Sequence, residues 1–211
     1  MKLHLLSATA IVAATFASCG GGAPDGDGTV ADSTATVMSY TVDLATSKVI
    51  WAGTAVGIKT HTGTLNFASG TFTTDKGVLT AGDFVVDMKN YAMTDTNYAP
   101  DGSENGTKAN LMGHLMGADF FAVDSFPTAT LKITSVTGNT ATADLTVRGK
   151  TNSETITDIV ITPNAADSTV KAMGKLTFDR QKYGVTWDSG SKDYVVSNDI
   201  VLAIEILGKA Q

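Results

Sequence analysis

The chain has 211 residues, 15 of them Lys or Arg and 21 Asp or Glu, for a formal net charge of −6. An acidic balance with no basic run excludes the electrostatic footprint of a nucleic-acid binder. Charged residues make up only 17% of the chain and Gly is abundant, a composition of strands and turns rather than of long helices or coiled coils.

Lys2 is a short positive start, and an apolar stretch from Leu3 to Ala17 follows, broken only by His4, Ser7, Thr9 and Thr15. Ala17-Ser18 closes it directly before Cys19. This layout predicts a secretory signal peptide over residues 1–18. A permanent span is the weaker reading, because the run stops short of the roughly 20 apolar residues that crossing a bilayer needs. Cys19 is the only cysteine, so no intramolecular disulfide can form, and a lone cysteine in an exported chain asks for an explanation. Phe16-Ala17-Ser18-Cys19 resembles a lipobox, the site at which a bacterial lipoprotein is cut before its acylated cysteine. The expectation is lipidation of Cys19 and residence in the cell envelope, anchored to a membrane (the outer membrane, facing the periplasm or the surface). Cleavage near Ala17 without acylation is the alternative. Residues 20–36 hold almost no large apolar side chain and cannot bury enough surface to fold. With Cys19 they form a tether over 19–36, and one folded domain is expected over 37–211.

From Val37 onward the pattern is β. Asp75-Lys76-Gly77 is an early turn signal. Residues 89–110 are polar and turn-rich, and Ala109–Phe121 then places Leu111, Met112, Leu115 and Met116 at helical spacing. A short amphipathic helix is expected there, capping one end of the β structure. Leu131 and Ile133 alternate with polar neighbours, Thr137-Gly138-Asn139 marks a turn, and Ala141, Ala143, Leu145 and Val147 alternate again. Leu176 and Phe178 repeat the pattern, and Asp188-Ser189-Gly190 breaks it. Ile200, Leu202, Ile204 and Ile206 share one face of the last strand; Val201, Ala203, Glu205 and Leu207 share the other, so both faces are expected to be covered. Roughly eight to ten strands at short spacing point to a sandwich or a barrel.

Motifs of catalysis are missing. There is no HExxH, no cysteine pair, no phosphate-binding Gly-rich loop and no GxSxG. Asp101, Ser103, Asn105 and Gly106 match the first half of a calcium loop, but Met112 stands where the closing Glu belongs. No metal and no cofactor are expected. His61 and His114 are the only histidines beyond the signal segment, each either a satisfied structural residue or a base. Arg148 and Arg180 end strand-like runs, where a guanidinium serves either phosphate and carboxylate recognition or a rim ion pair.

Several segments together resemble one family. Tyr40–Asp43 with Ser47–Trp51 resembles its opening strand pair, and His61 and Gly70-Thr71-Phe72 its second hairpin. His114-Leu115, Asp119-Phe120-Phe121 and Phe126-Pro127 resemble its helix segment, Leu145–Thr151 its strand and turn, and Asp179-Arg180 with Tyr183-Gly184 a further element. In order and spacing, from about Tyr40 to Leu207, these resemble the YceI-like family of lipocalin-like, polyisoprenoid-binding proteins. The resemblance implies an all-β fold, an extended antiparallel lipocalin-like barrel of about eight strands with one short helix packed at an end. It also implies an elongated cavity for a hydrophobic or amphiphilic lipid. Candidate lining residues are Phe67, Phe72, Phe84, Leu111, Leu115, Phe120, Ile133, Leu145, Phe178 and Ile204, and His61, His114, Arg148 and Arg180 are candidates to meet a polar head. The approach to the helix departs from the family pattern, with Asn90–Thr94 and Lys108–Asn110 where Ser and Arg-Asp are usual. The expected function is binding of a long lipid as carrier or reservoir, without enzymatic activity. A hydrolase using His114 or His61 and a solid-core adhesion or scaffold module are the alternatives. An exposed edge strand would allow a homodimer.

Overall fold

A computed structural model describes residues 37–192 and 195–211; the expected signal peptide, Cys19 and the tether lie outside the described residues. The strands are β1 (Val37–Val42), β2 (Lys48–Ala55), β3 (Lys59–Asp75), β4 (Val78–Asp87), β5 (Ala92–Met93), β6 (Thr128–Thr137), β7 (Thr140–Val147), β8 (Lys150–Asn164), β9 (Thr169–Asp179) and β10 (Val196–Ala210). One helix, α1 (Lys108–Met116), and a 3₁₀ turn at Arg180–Tyr183 complete them.

Every strand pairing is antiparallel, and the ladder β10-β2-β3-β4-β6-β7-β8-β9 closes through β9 on β10, a ring of eight strands. β1 occupies the same lane as β2, pairing with β10 at Tyr40–Val42 and with β3 at Val37–Thr41. A turn between them is stitched to β10 by Ser47, whose hydroxyl accepts the Leu207 N–H at 3.0 Å. Because the ring closes, its strands lack the free edge on which a strand-paired homodimer would depend.

Local sequence explains the hairpins. Lys76-Gly77 and Arg148-Gly149 join paired strands through two residues with positive φ, 50° and 79° in the first and 50° and 69° in the second. Such turns match the right-handed twist of the strands they connect, and Gly enters that conformation without steric cost. Along β7, Ala141, Ala143, Leu145 and Val147 are buried, as their alternation predicts. Burial of each large apolar side chain contributes about 1.5–3 kcal/mol. The two faces of β10 differ: Ile200 and Ile206 are buried, while Val201 is 46% exposed. Among the described residues the expected double cover is therefore absent: the outer wall leaves Val201 exposed and carries the Lys48–Glu205 pair at 3.3 Å.

Helix α1 starts at a reciprocal cap. The Thr107 hydroxyl accepts the Asn110 N–H at 3.1 Å, and Asn110 Oδ1 accepts the Thr107 N–H at 3.1 Å. It ends at Met116, earlier than the expected Phe121, because Gly117 turns extended (φ −66°, ψ 168°). The chain then doubles back: Phe121 N–H donates to Leu115 O at 3.1 Å and Val123 N–H to Met116 O at 3.0 Å. Phe120 and Phe121 are buried despite leaving the helix. At the other end of the barrel Tyr40 and Phe72 stack at 5.1 Å. Gly208 makes room there, since a Cβ at that position would lie 2.7 Å from Phe72 Cζ.

Candidate functional site

The barrel encloses a cavity of about 220 Å³. One water needs about 10–15 Å³ on the same measure, so this is ligand-sized space and not a packing defect. Inward-facing positions of the strands form the wall. Val49 and Trp51 come from β2, Leu65, Phe67 and Phe72 from β3, Ile133 from β6, Leu145 from β7, and Ile200 to Ile206 at alternate positions from β10. Leu111 and Leu115 of α1 close one end. All ten residues singled out as wall candidates border this space, and the interior is not a solid core.

The four head-group candidates separate. His61 and His114 border the cavity, whereas Arg148 and Arg180 do not. Arg180 is 2% exposed and its guanidinium is spent on backbone: Nε donates to Ser197 O at 3.1 Å, and Nη1 to Val185 O at 2.7 Å and Trp187 O at 2.9 Å. It thereby straps the connector after the 3₁₀ turn to the start of β10, and it lies 5.7 Å over the Phe120 ring. Burial lowers its pKa from the ordinary arginine value, against the attraction of Asp179 and Asp188. Arg148 donates to Gly184 O at 2.7 Å and Ala118 O at 3.3 Å, tying the β7–β8 turn to the loop beyond α1.

Each histidine meets a carboxylate through Nδ1. His61 lies 2.9 Å from Asp95 Oδ2, and His114 lies 2.9 Å from Asp119 Oδ2. Asp95 also accepts the Tyr98 hydroxyl at 2.6 Å and the Thr62 N–H at 3.1 Å, and the Tyr98 ring stacks on His61 at 4.9 Å. Burial alone would raise the Asp95 pKa; the hydrogen bonds from Tyr98, Thr62 and His61 outweigh it and hold the group at about 2. This cluster pins the long loop after β5 against the mouth of the barrel. Neither Asp95 nor Tyr98 carried a signal of its own in a polar, aperiodic stretch.

His114 sits in an aromatic corner, 4.5 Å from Trp187 and 5.2 Å from Phe120, edge-on to both. Its Nε2 is buried and has no partner. Two more polar atoms at the same end share that condition, Trp51 Nε1 and the Tyr91 hydroxyl. Their rings meet edge-on at 6.0 Å, and burial raises the Tyr91 pKa above the ordinary tyrosine value. Trp51 lies flat over Gly63: a Cβ there would sit 2.6 Å from Trp51 Cζ2 and 2.5 Å from Ala92 O. Among the described residues no group of three or more His, Cys, Asp or Glu side chains could hold a metal ion, the Asp101–Gly106 loop included. Among them, too, no helix is long and apolar enough to cross a membrane, which says nothing of strands.

The fold is that of known proteins. BcnA from Burkholderia cenocepacia superposes with a TM-score of 0.62 at 19% identity, over 79% of this chain and 98% of that one. A polyisoprenoid binding domain from Saccharophagus degradans, implicated in plant cell wall breakdown, superposes with a TM-score of 0.52 at 11% identity, over 82% of this chain and 99% of that one. In sequence, a UPF0312 protein of Staphylococcus aureus (strain bovine RF122 / ET3-1) is 36% identical over 81 residues, 36% of this chain and 46% of that protein. A second, from strain N315, is 35% identical over the same length. The chain thus spans about half the length of the curated relatives it matches. The profile described as the YceI-like domain matches residues 40–207, most of the chain and nearly all of the barrel, so the chain belongs to the YceI-like family.

Proposed function

We propose that the domain is a non-enzymatic carrier or reservoir for one long hydrophobic or amphiphilic lipid, isoprenoid in type, in the bacterial cell envelope. The observation that carries this reading is an apolar cavity running along the barrel. His61 and Phe72 both border it and lie on one strand, β3. Eleven residues of strand cover roughly 36 Å. A tilt of about 40° to the barrel axis shortens that to roughly 28 Å. One leaflet supplies about half of a bilayer's roughly 30 Å hydrocarbon core, so a cavity of this length has room for a chain longer than an ordinary acyl tail. The polyisoprenoid binding domain of the same fold supports the isoprenoid assignment. In this reading Phe67, Phe72, Phe84, Leu111, Leu115, Phe120, Ile133, Leu145, Phe178 and Ile204 contact the chain of the lipid. Residues 1–18 are removed, Cys19 is acylated, and the tether holds the domain to its membrane.

The hydrolase alternative needs a nucleophile within reach of a histidine. The Nδ1 atoms of His61 and His114 face aspartates, and no observation favours that reading. The test is organic extraction of the purified protein followed by mass spectrometry. A long-chain lipid in near-equimolar amount is expected; repeated recovery of lipid-free protein that also refuses added lipid would sink the proposal.

A further inference from the structure

Three large apolar side chains gather, exposed, at the mouth of the barrel. Val56 is 56% exposed and Ile58 50% exposed on the tip that joins β2 to β3, and Val195, 51% exposed, lies just before β10. The Val56 N–H donates to Val195 O at 2.8 Å and Ala55 pairs with Val196, so tip and connector form one rim. Gly53, Thr54, Ala55 and Val196, their neighbours in the chain, border the cavity. The exposed rim therefore continues directly into the apolar space it surrounds. Apolar side chains gathered at one exposed place mark a contact surface.

Hydrogen bonding and charge restrict what the rim touches. A strand from another protein would need free backbone donors, but the Val56 N–H is taken and the Ile58 N–H donates to Ala55 O at 3.1 Å. The hydroxyls of Thr54 and Thr60 meet each other at 2.9 Å. Polar groups already paired lose little on leaving water, so this tip can enter an apolar medium. In a chain of net charge −6, no Asp or Glu occurs from Leu44 to Thr74, while Lys48 and Lys59 do. Asp95, the carboxylate that meets His61 behind the tip, is held by Tyr98, Thr62 and His61. An apolar tip followed by a lysine and free of carboxylates suits an anionic bilayer: valine and isoleucine enter the acyl boundary, and the ammonium stays among the phosphates.

We propose that the rim of Val56, Ile58 and Val195 docks the mouth of the barrel on an anionic lipid bilayer, so that a lipid passes between bilayer and cavity without crossing water. The inference rests on the lipid-carrier reading for its cargo, while the docking itself is read without any cargo.

The test is hydrogen exchange of the full-length protein, read by mass spectrometry with and without vesicles of phosphatidylethanolamine and phosphatidylglycerol. Amides of residues 54–60 are expected to slow about five-fold or more, and those of the β6–β7 turn at the opposite end of the barrel to stay unchanged. Attachment through Cys19 alone would not single out the tip. Val56→Ser combined with Ile58→Ser should abolish this protection. It should also slow loading of a prenyl alcohol from vesicles about ten-fold and leave loading from cyclodextrin unchanged. An unprotected tip, equal protection at both ends, or a serine variant that docks and loads like the parent overturns the proposal. Protection that grows with protein concentration in the absence of vesicles assigns the rim to a second copy and overturns it too. Loading from cyclodextrin without vesicle protection leaves the carrier reading intact and removes the docking; protection without loading by either route keeps the docking and removes the carrier reading. The exchange pattern of the unsubstituted protein needs no variant, so the test stands even if the serine variant fails to fold.

Discussion

Tyr91→Phe tests whether the Tyr91 hydroxyl is unsatisfied in the folded protein. The phenol ring lies between Trp51, edge-on at 6.0 Å, and Phe121, stacked at 6.4 Å, while its hydroxyl has no partner. Phe keeps the ring and deletes only the hydroxyl. In the empty protein that removes an unsatisfied buried group, a gain of about 1 kcal/mol, the low end of the ~1–3 kcal/mol range for such a group. For a domain of this size the melting temperature should rise by about 2–4 °C. The hydroxyl exposes almost no surface to the cavity, so in the lipid-loaded protein affinity should change by less than about two-fold. Calorimetric melts of stripped protein and a lipid titration read the two effects. A variant that is less stable when empty and binds lipid normally would refute the reasoning, because the hydroxyl would then have a structural partner.

Other substitutions probe the scaffold around this site. Gly63→Ala drives a Cβ against Ala92 O and the rigid Trp51 indole; a loss of about 2–3 kcal/mol is expected in urea melts, with weakened binding of a prenyl alcohol. Arg180→Lys keeps the charge but not the fork that reaches carbonyls of Val185, Trp187 and Ser197. It should cost about 2–3 kcal/mol and speed hydrogen exchange between the 3₁₀ turn and β10. Asp95 has a folded pKa of about 2 against an ordinary 3.8, so its ionised form stabilises the fold. That stabilisation is complete above about pH 4 and is lost as pH falls toward 2, worth about 1–2 kcal/mol after solvent screening. Asp95→Asn should therefore be less stable than the parent at pH 6, with the gap closing on acidification; a gap independent of pH would contradict the assignment.

The wall of the cavity was legible because a strand has only two faces. Once Leu145 or Ile204 is placed inward, period-two alternation places its neighbours, and a barrel has only one inside. His61 and His114 are head-group candidates through the family resemblance, and both border the cavity. The backbone roles of Arg148 and Arg180 were not legible, because their partners are main-chain carbonyls of segments distant in sequence, such as Gly184 and Ser197, and a carbonyl carries no sequence signature. The helix was legible but not its end: Leu111, Met112, Leu115 and Met116 suit one apolar face, and only Gly117 marks where the chain leaves it. Trp51 and Tyr91 stand out for what their polar atoms lack, a property that exists only once the whole enclosure is folded.

Native mass spectrometry of the protein purified from its own membranes tests the central claim most directly. One non-covalent long-chain lipid per chain is expected, released on denaturation and distinct from any acyl group on Cys19 that survives denaturation. A chain that carries no releasable lipid from any preparation, and takes up none when offered prenyl alcohols, would contradict it.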